Sequence, residues 1–435
     1  MLTLTDGQQE AYKEIKEFFE DPRTGGYHVL EGNAGTGKTF VTCQILKDTK
    51  KDILVTAPTN KALKVLKADC GGIHNVEFKT LHSAFGLKPK IDNDGNIQFV
   101  TDAYNKKPLG YVYDIIIIDE MSMVSDNLFN IIKNEVDLRQ MKILFIGDRC
   151  QIPPVNQEYS LPCNEDVRQS LGFHVHKLTE IVRQSKGNPI IESSVVIRSN
   201  LLSDNKIPII GDITKINSNR EVDMVLRELF LSDEFKASPD HAKVLAWHNS
   251  TVDVFNKTIR KMIYGKDAND RIVVGEELIA NSPILSGDEV LFTTNAEFQV
   301  ISIVKMKDIA ADVEFKYYKC RVKDEDTGDE KDIRVLDNES LELFQRLLDE
   351  LKKHAMRLKY GSPQAKQAWG RYYQTMSLYA DIGYNYAITV HKSQGSSYTN
   401  AVVCEYDIDR NPNTLERNRI KYTAMTRPRK KLYVI

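Results

Sequence analysis

Residues 27–39 read YHVLEGNAGTGKT, and this stretch decides the fold of the first part of the chain. An apolar pair at 29–30 leads into residues 32–39, which fill the pattern GxxxxGK[ST] without a mismatch. Apolar side chains then recur at helical spacing within 41–46. The glycines therefore lie where a strand turns into a helix, which is the context in which this pattern forms a phosphate-binding loop.

The chemistry of this phosphate loop, residues 32–39, is electrostatic. Glycines let the backbone curl so that successive N–H groups converge on phosphates at a helix N-terminus. Lys38 adds a positive charge at the β- and γ-phosphates, and the Thr39 hydroxyl can hold Mg²⁺. The sequence predicts that a nucleoside triphosphate is bound by Gly32, Asn33, Ala34, Gly35, Thr36, Gly37, Lys38 and Thr39.

Two further strands end in polar side chains. Four consecutive isoleucines at 115–118 suit a strand buried on both faces of a parallel sheet, and Asp119 and Glu120 follow at its carboxyl end, where open α/β sheets bind ligands. Asp119 is expected to hold Mg²⁺ and Glu120 to orient or deprotonate the attacking water. The alternative is an acidic helix cap. Gln151 follows the next strand and is expected to hydrogen-bond the γ-phosphate.

The order of elements predicts two α/β units with insertions. Strands and helices alternate through about residue 150 and resume beyond about residue 173, as in doubly wound folds. Turn residues within 91–100 predict a β-hairpin with Phe99 on its returning strand. Beyond about residue 268 the pattern becomes one of short strands and turns, typical of a small β-barrel, and 341–379 is helical.

The helical segment 341–379 mixes basic and aromatic side chains, among them Trp369 and Tyr373. Such a surface can follow a nucleic-acid backbone and stack on bases. A solvated helical hairpin with an aromatic core stripe fits the same pattern. The residues themselves leave these two interpretations open.

Composition describes an ordinary soluble globular protein. Charged residues make up 28% and hydrophobic ones 41%, and the net charge of −2 means that any basic surface must be local. The six cysteines form no CxxC pair, which favours a reducing compartment and no zinc framework. His174 and His176 share a strand face without further ligands, so a metal site is not expected. No apolar run reaches 18 residues, and the expected location is cytoplasmic.

Eight blocks of the chain, in this order, resemble the motifs of the superfamily 1 helicases, specifically their RecD-like, 5′-to-3′ branch with its Dda-like members. The blocks are GNAGTGKT, TAPTNKA, TLHSAF, IIDEMSM, IGDRCQIPPV, LTEIVRQ, ITVHKSQGSS and YTAMTRPR. The resemblance implies two RecA-like P-loop NTPase domains, with a β-hairpin pin inserted in the first and an SH3-like β-barrel plus helical tower inserted in the second. The implied bounds are 1–85 and 114–178 for the first RecA-like domain, 86–113 for the pin, 179–267 and 381–435 for the second RecA-like domain, and 268–380 for the barrel and tower.

The resemblance also assigns roles around the nucleotide. Gln8, in the segment LTDGQ, matches the residue that reads the adenine edge. Arg183 and Arg427 match two arginines that reach the γ-phosphate from the second domain, where a rigid guanidinium suits the developing charge. Gly395 lies in the block ITVHKSQGSS and is expected near the nucleotide.

Residues that match nucleic-acid contacts lie in several of the same blocks. They are Pro58, Thr59, Asn60, Thr80, His82, Trp247, His248, Asn249, Thr389, His391 and Lys392. Asn60 stands where the Dda-like pattern has a histidine, so a stacking role there is not implied. Phe99 is expected at the strand-separating pin, and Trp369 or Tyr373 is expected to be the tower aromatic that touches it.

The activity implied by the resemblance is an ATP- and Mg²⁺-dependent DNA helicase that moves 5′ to 3′ on single-stranded DNA and opens forked duplexes. A monomer acting in phage DNA replication or recombination, in the host cytoplasm, is expected, with a single-strand-binding protein or recombination and replication proteins as compatible partners and no membrane. Two alternatives stay open from the residues: an ATP-switched nucleic-acid-binding module that never translocates, and an RNA-directed remodeller. The second needs contacts to the 2′-OH, which no residue declares.

Overall fold

The computed structural model describes residues 4–22, 25–91, 97–101, 109–139, 141–182, 189–210, 216, 218–287, 289–310, 313–359 and 361–435. Within these residues the chain forms two α/β lobes, each built on a parallel sheet, and an antiparallel part between two segments of the second lobe. This confirms the predicted two-domain α/β architecture.

The first lobe is a six-stranded parallel sheet with helices on both faces, in the order β3-β2-β6-β7-β1-β8. Its strands, with a separate hairpin β4–β5, are β1 Gly26–Gly32, β2 Ile53–Ala57, β3 Val76–Thr80, β4 Leu87–Ile91, β5 Ile97–Thr101, β6 Ile115–Ile118, β7 Lys142–Gly147 and β8 His174–Leu178. Its helices are α1 Asp6–Glu20, α2 Lys38–Asp48, α3 Asn60–Cys70, α4 Leu81–Ala84, α5 Asp126–Arg139 and α6 Glu165–Ser170.

The isoleucine run shows why this sheet forms. Ile116 and Ile118 pack in the core on one face, while Ile115 and Ile117 pack in the core on the other. Successive side chains of a strand point to opposite faces, so an unbroken apolar run is stable only between two helical layers. Because β6, β7 and β1 are neighbours and parallel, the polar residues after these three strands meet at one edge of the sheet.

The hairpin predicted within 91–100 is present as β4 paired antiparallel with β5, from Leu87 opposite Thr101 to Ile91 opposite Ile97. Residues 92–96, which supply the turn signal, lie outside the described residues. The backbone of Phe99 is on β5, whereas its side chain lies outside the described part of the chain.

The second lobe begins after the segment 183–188. Its first elements are α7 Pro189–Ser199, α8 Asn219–Phe230, α9 Asp233–Ala237, β9 Ala242–Ala246 and α10 Asn249–Tyr264. The antiparallel part follows as β10 Glu277–Ala280, β11 Ile284–Ser286, β12 Glu289–Phe292, β13 Glu297–Ala310, β14 Val313–Asp324, β15 Glu330–Leu336, α11 Asn338–Arg357, α12 Pro363–Met376 and β16 Ile382–Tyr384.

Five of these strands form one antiparallel sheet in the order β15-β14-β13-β10-β16, and β11 and β12 form a separate pair. Since β16 pairs with β10, this sheet ends beyond residue 380. Helix α11 packs against the sheet through an aromatic contact, with Phe344 edge-on to Phe315 and Tyr379. On α12, Trp369 is only 9% exposed and stacks on Tyr373 at 5.7 Å between ring centroids.

The second lobe then resumes and ends the chain. Its remaining elements are β17 Ala387–Thr389, β18 Tyr398–Val403, α13 Glu405–Ile408, α14 Thr414–Met425 and β19 Pro428–Val434. The parallel sheet has the order β17-β9-β18-β19, so the strand before the antiparallel part lies between strands that follow it. The two segments of this lobe are therefore interdependent in folding.

Two further features bear on the sequence-based expectations. Cys43 on α2 and Cys70 on α3 form a disulfide, with 4.7 Å between their Cα atoms, although their spacing gave no sign of pairing and the cysteines were expected to be reduced. The pair arises because the packed helices bring the two positions together on one face of the sheet. None of the helices in the described ranges combines the length and the apolar character that a membrane span requires.

Candidate functional site

The phosphate loop has the backbone that its glycines predict. Gly35 and Gly37 both have φ of 82°, in the left-handed region where side chains are strained. A Cβ on Gly37 would also lie 2.4 Å from Gln8 Nε2, so a larger residue does not fit. Lys38 begins α2 and its ammonium donates to the carbonyl oxygens of Gly32 at 2.7 Å and Asn33 at 3.0 Å. The loop thus curls around a cation at a helix N-terminus, which is a suitable cradle for phosphates.

Gln8 lies directly against this loop. Its Nε2 donates to the Thr36 carbonyl at 3.0 Å, and its Oε1 accepts from the Thr5 N–H at 3.1 Å. The side chain is 3% exposed. The structure therefore places Gln8 at the nucleotide loop, with its amide bonded to main chain on both sides.

Asp119 and Glu120 stand at the end of β6 beside the loop. The Asp119 N–H donates to the Thr56 carbonyl at 2.9 Å, and Glu120 has the unusual φ of 52°. Burial, and then the adjacent Glu120, raise the pKa of Asp119 to about 7, with Lys38 acting in the opposite direction. Glu120 precedes the short 3-10 helix 121–123 but makes no side-chain capping hydrogen bond to it, which disfavours the helix-cap alternative.

Gln151 and Arg427 meet across the two lobes. Arg427 Nη2 donates to Gln151 Oε1 at 3.3 Å, and the Arg427 side chain is only 5% exposed. Burial lowers the pKa of Arg427, while the nearby Glu120 opposes that shift. Its other N–H groups are held by the second lobe, including the carbonyls of Thr423 at 3.0 Å and Ser396 at 3.1 Å. The second predicted arginine, Arg183, lies outside the described residues.

Sequence reasoning missed three residues beside this contact. Asp148, fully buried at the end of β7, accepts from Arg198 Nη1 on α7 at 2.8 Å and from the Tyr422 hydroxyl on α14. Asp148 stood at a strand end, and Tyr422 stood in the block YTAMTRPR, so position was an available signal. Nothing in the sequence marked Arg198 as their partner.

The loops expected to hold nucleic acid also meet between the lobes. Thr59 caps α3 by accepting from the Ala62 N–H at 3.2 Å, and Pro58 and Asn60 beside it are half-buried. Gly395 of the second lobe has φ of 71°, and a Cβ there would lie 3.2 Å from Thr59 Oγ1. The TAPTNKA loop of one lobe and the ITVHKSQGSS block of the other are therefore in close contact.

The remaining candidates of the first lobe lie on the adjacent edge of the sheet. Thr80 ends β3 and caps α4 by accepting from the Ser83 N–H at 3.2 Å. His82 follows on α4, and burial lowers its pKa. Both candidates therefore lie at the carboxyl end of β3.

In the second lobe, His391 and Lys392 follow β17. Burial lowers the pKa of His391, with Glu416 acting in the opposite direction, and burial also lowers the pKa of Lys392. The Lys392 ammonium donates to Asn281 Oδ1 at 2.9 Å, and its N–H donates to Thr389 Oγ1 at 3.3 Å. The turn is thus held by both the second lobe and the antiparallel part.

Trp247 and His248 lie at the end of β9, with ring centroids 3.9 Å apart, just before α10 begins at Asn249. Asp407 fixes this turn because its carboxylate accepts from the N–H groups of both residues at 2.8 Å and from His248 Nδ1 at 2.8 Å. Burial raises the pKa of Asp407, but these hydrogen bonds outweigh burial and keep it below its ordinary value. The turn is therefore held rigidly, as a stacking platform requires.

A second meeting place lies outside the cleft, and we call it the outer junction: Lys61, Lys64, Asp240, Glu297 and Glu325. Lys61 on α3 bonds Asp240 Oδ1 at 2.6 Å and Glu297 Oε2 at 3.1 Å. Lys64, one turn further on, donates to the Glu325 carbonyl at 2.5 Å. One helix of the first lobe thus holds both the second lobe and the antiparallel part.

Comparison with known proteins agrees with this geometry. A family model described as an AAA domain matches residues 3–209, and one described as a UvrD-like helicase C-terminal domain matches 384–435. Protein R530 of Acanthamoeba polyphaga mimivirus is 27% identical over 98% of both chains, and the ATP-dependent DNA helicase dda of Enterobacteria phage T4 is 25% identical over 92% of both. A solved structure of two coordinating Pif1 helicases at forked dsDNA matches the whole chain and 92% of that protein with a TM-score of 0.55 and 17% identity, which shows a common fold.

Proposed function

Because the chain belongs to the superfamily 1 helicases of the RecD/Pif1-like type, we propose that it is an ATP-dependent DNA helicase that moves 5′ to 3′ on single-stranded DNA. One observation carries the proposal furthest. Arg427 of the second lobe reaches Gln151 at the sheet edge of the first lobe, where the phosphate loop and two carboxylates also lie. A cation supplied across a cleft makes phosphoryl transfer depend on closure of the lobes.

The residues at the cleft divide the chemistry of ATP hydrolysis. The loop N–H groups and Lys38 bind the phosphates, because they supply convergent donors and a cation at a helix N-terminus. Glu120 accepts a proton from the attacking water or orients it. Gln151 and Arg427 give up their mutual hydrogen bond and turn to the γ-phosphate, where charge develops.

The donor set also fits Mg²⁺. Asp119 and Glu120 are adjacent carboxylates, and their crowding is relieved by a divalent cation. Thr39, at the start of α2, adds a hydroxyl oxygen of the kind that Mg²⁺ prefers. We propose that Thr39 and Asp119 hold the ion, which would neutralise charge on the phosphates.

Coupling to DNA follows from the contact between Gly395 and Thr59. Each belongs to a loop that carries candidate contacts to single-stranded DNA, one loop on each lobe. Opening and closing of the cleft changes the spacing of these loops, so a strand held by both is moved by one register in each cycle. Trp247 and the histidines supply rings for stacking on bases, and such stacking tolerates any sequence.

The proposed opening of duplex DNA depends on the inserted segments. We assign the hairpin β4–β5 as the pin, the antiparallel part as an SH3-like barrel, and α11–α12 as a tower. The domain bounds given above are part of this proposal, with the end of the inserted part moved from 380 to include β16. A monomeric state and a role in DNA replication or recombination are also proposed. The buried Trp369, stacked on Tyr373, makes the tower a rigid support for a pin contact.

An unwinding assay with matched DNA forks tests the proposal. Duplexes with a 5′ tail, a 3′ tail or no tail are incubated with ATP and Mg²⁺, and an RNA-tailed set is run in parallel. Displacement of the 5′-tailed DNA strand alone is the expected result. Displacement of the 3′-tailed strand instead would show that the protein moves in the opposite direction, 3′ to 5′. Nucleotide-dependent binding without displacement would favour the switched binding module, and a preference for RNA would favour the remodeller.

The pin assignment makes a separate prediction. Phe99→Ala is expected to reduce duplex unwinding by at least about tenfold while DNA-stimulated ATP hydrolysis stays within about twofold, because loss of one stacking group removes about 1–3 kcal/mol at the fork. The neighbouring Gln98→Ala on the same strand is the control. Equal unwinding by the Phe99 variant and its parent would remove the pin from the mechanism.

A further inference from the structure

We infer that Asp148, Arg198 and Tyr422 form a latch between the lobes that positions Gln151 and Arg427 for phosphoryl transfer. These three residues, called the latch below, act through that pair. The inference rests on the proposed ATP hydrolysis, because it concerns how the same site is held together.

The latch is a buried, charged contact that crosses the lobes. Asp148 is 0% exposed and lies on the first lobe. Its Oδ1 accepts from Arg198 Nη1 at 2.8 Å, and its Oδ2 accepts from the Tyr422 hydroxyl. Arg198 Nη1 also lies 3.3 Å from the Tyr422 hydroxyl, which closes a triangle of hydrogen bonds.

The position of the latch links it to the catalytic pair. Asp148 precedes Gln151 by one turn of chain, and the N–H of Gln151 donates to the Asp148 carbonyl at 3.2 Å. Tyr422 lies on α14, the helix that ends just before Arg427. The same two segments therefore meet twice, once through the latch and once through the Gln151–Arg427 hydrogen bond.

The chain around the latch is embedded in the opposite lobe. Cys150 and Ile152, which follow Asp148, pack into the apolar core of the second lobe, and Gln394 Nε2 of that lobe donates to the Ile152 carbonyl at 2.7 Å. The segment after β7 is thus held by apolar contact as well as by charge. Separation of the lobes would expose these groups and leave Asp148 without its cation.

This arrangement explains how Gln151 and Arg427 can release each other without the cleft falling open. Both must turn towards the γ-phosphate, and their own hydrogen bond cannot then hold the lobes together. A buried carboxylate is stable only while its partners are in place, so the latch favours the closed arrangement of the lobes during this exchange. The latch thus acts as a positioning device for hydrolysis.

Tyr422→Phe is the most direct test, because it removes one hydroxyl and keeps the ring. We expect kcat for DNA-stimulated ATP hydrolysis to fall about tenfold, the effect of one lost hydrogen bond to a charged group, while Kd for ADP stays within about twofold. Tyr386→Phe is the matched control, since Tyr386 is also a buried tyrosine whose hydroxyl bonds within its own half of the molecule, to Tyr264 at 3.3 Å.

A second measurement tests whether the latch holds the lobes together, and it does not depend on ATP hydrolysis. Fluorophores on Lys67→Cys in the first lobe and Arg227→Cys in the second, both exposed, measure the distance between lobes, and the four cysteines outside the disulfide are buried. Tyr422→Phe is expected to lower energy transfer in the nucleotide-free protein, whereas Tyr386→Phe leaves it unchanged. Unchanged transfer and unchanged kcat in Tyr422→Phe would each overturn the latch.

The two hypotheses separate in this design. If the parent protein hydrolyses no ATP, the proposed function fails. The positioning role then fails with it, even if the energy-transfer measurement shows that the latch holds the lobes together. A double variant, Asp148→Asn with Arg198→Gln, replaces the ion pair by two amides. Its kcat is expected to be at least about threefold higher than that of Arg198→Gln alone. An equal kcat in the two variants would contradict a direct pairing of Asp148 with Arg198.

Discussion

The lobes of this protein meet in two places of opposite character. In the cleft, Gln151 and Arg427 form a hydrogen bond beside the buried latch. At the outer junction, Lys61 bonds two carboxylates, of which one belongs to the second lobe and the other to the antiparallel part. The cleft contact serves the proposed ATP hydrolysis, whereas the outer junction determines how the antiparallel part packs on the first lobe.

The electrostatics of the outer junction differ from those of the cleft. Burial opposes ionisation of Glu297, but Lys61 and Lys243 outweigh it and hold the pKa of that carboxyl at about 2. At two neighbouring acids the nearby lysines do not outweigh burial. Burial, and then Glu325, raise the pKa of Glu277 to about 8, and burial, and then Asp324, raise the pKa of Asp326 to about 6. The comparison teaches that the carboxyl bonded by Lys61 stays ionised at neutral pH. The neighbouring Glu277 and Asp326 have raised pKa values, as Asp119 has in the cleft.

The largest expected effect is a loss of ATP hydrolysis without a loss of stability. Lys38→Ala removes the ammonium of the phosphate loop, so ATP hydrolysis is expected to fall by at least about a thousandfold. Lys38 bonds loop carbonyls and contributes to neither interlobe contact, so the thermal unfolding midpoint is expected to stay within a few degrees. Lys47→Ala, at the exposed far end of α2, is the control. Turnover retained by the Lys38 variant would place the active site elsewhere.

The next variant is expected to lower stability and to leave ATP hydrolysis nearly unchanged. Lys61→Met removes the cation that Asp240 and Glu297 share, although Lys243 remains near Glu297. We expect a loss of about 2 kcal/mol of stability, less than a fully buried pair would cost because Lys61 is 16% exposed. ATP hydrolysis without DNA is expected to change by less than about threefold, because the cleft contacts stay in place. Denaturant unfolding and steady-state turnover measure the two quantities.

Lys67→Met, an exposed lysine on the same helix, is the control for the outer junction. If both lysine variants unfold at the same denaturant concentration, the outer junction contributes no stability. If Lys61→Met abolishes hydrolysis as well, the two meeting places are one cooperative unit, and the contrast between them disappears.

The smallest effect is a dependence on pH. The folded-state pKa of Glu277, about 8, is above its ordinary value of 4.5, so the stability it contributes is present below pH 4.5 and is lost as pH rises through about 8. Groups facing it include Glu325, Lys243 and Glu297. We expect stability to fall by on the order of 1 kcal/mol between about pH 7 and about pH 8.

Glu277→Gln should flatten this part of the pH profile, and Glu289→Gln, at an exposed site on β12, should leave it unchanged. Thermal unfolding midpoints across the range measure the effect. A profile that keeps its slope in Glu277→Gln would assign the titration to another group.

Several features could be predicted from local sequence because local physics specifies them. Gly35 and Gly37 adopt positive φ where the loop requires it, and Gly37 also admits Gln8 beside it. The isoleucine run forms the strand that two helical layers bury. The sheet edge then collects Asp119 and Gln151, as the strand ends predicted.

Other features depend on partners that are far apart in the chain. Asp148 and Arg198 are 50 residues apart, and Lys61 and Glu297 are 236 residues apart. Neither Arg198 nor Lys61 differs by type or spacing from ordinary surface cations. Cys43 and Cys70 likewise carry no pairing signal, since packing of α2 against α3 alone brings them together.

The sequence by itself determined the phosphate loop, the buried strands and the order of the α/β units, because glycine sterics and hydrophobic periodicity act over a few residues. The tertiary structure alone decided which side chains face each other across the cleft and at the outer junction. Those pairings depend on how the lobes pack, and a buried charge selects its partner only once both lobes have formed.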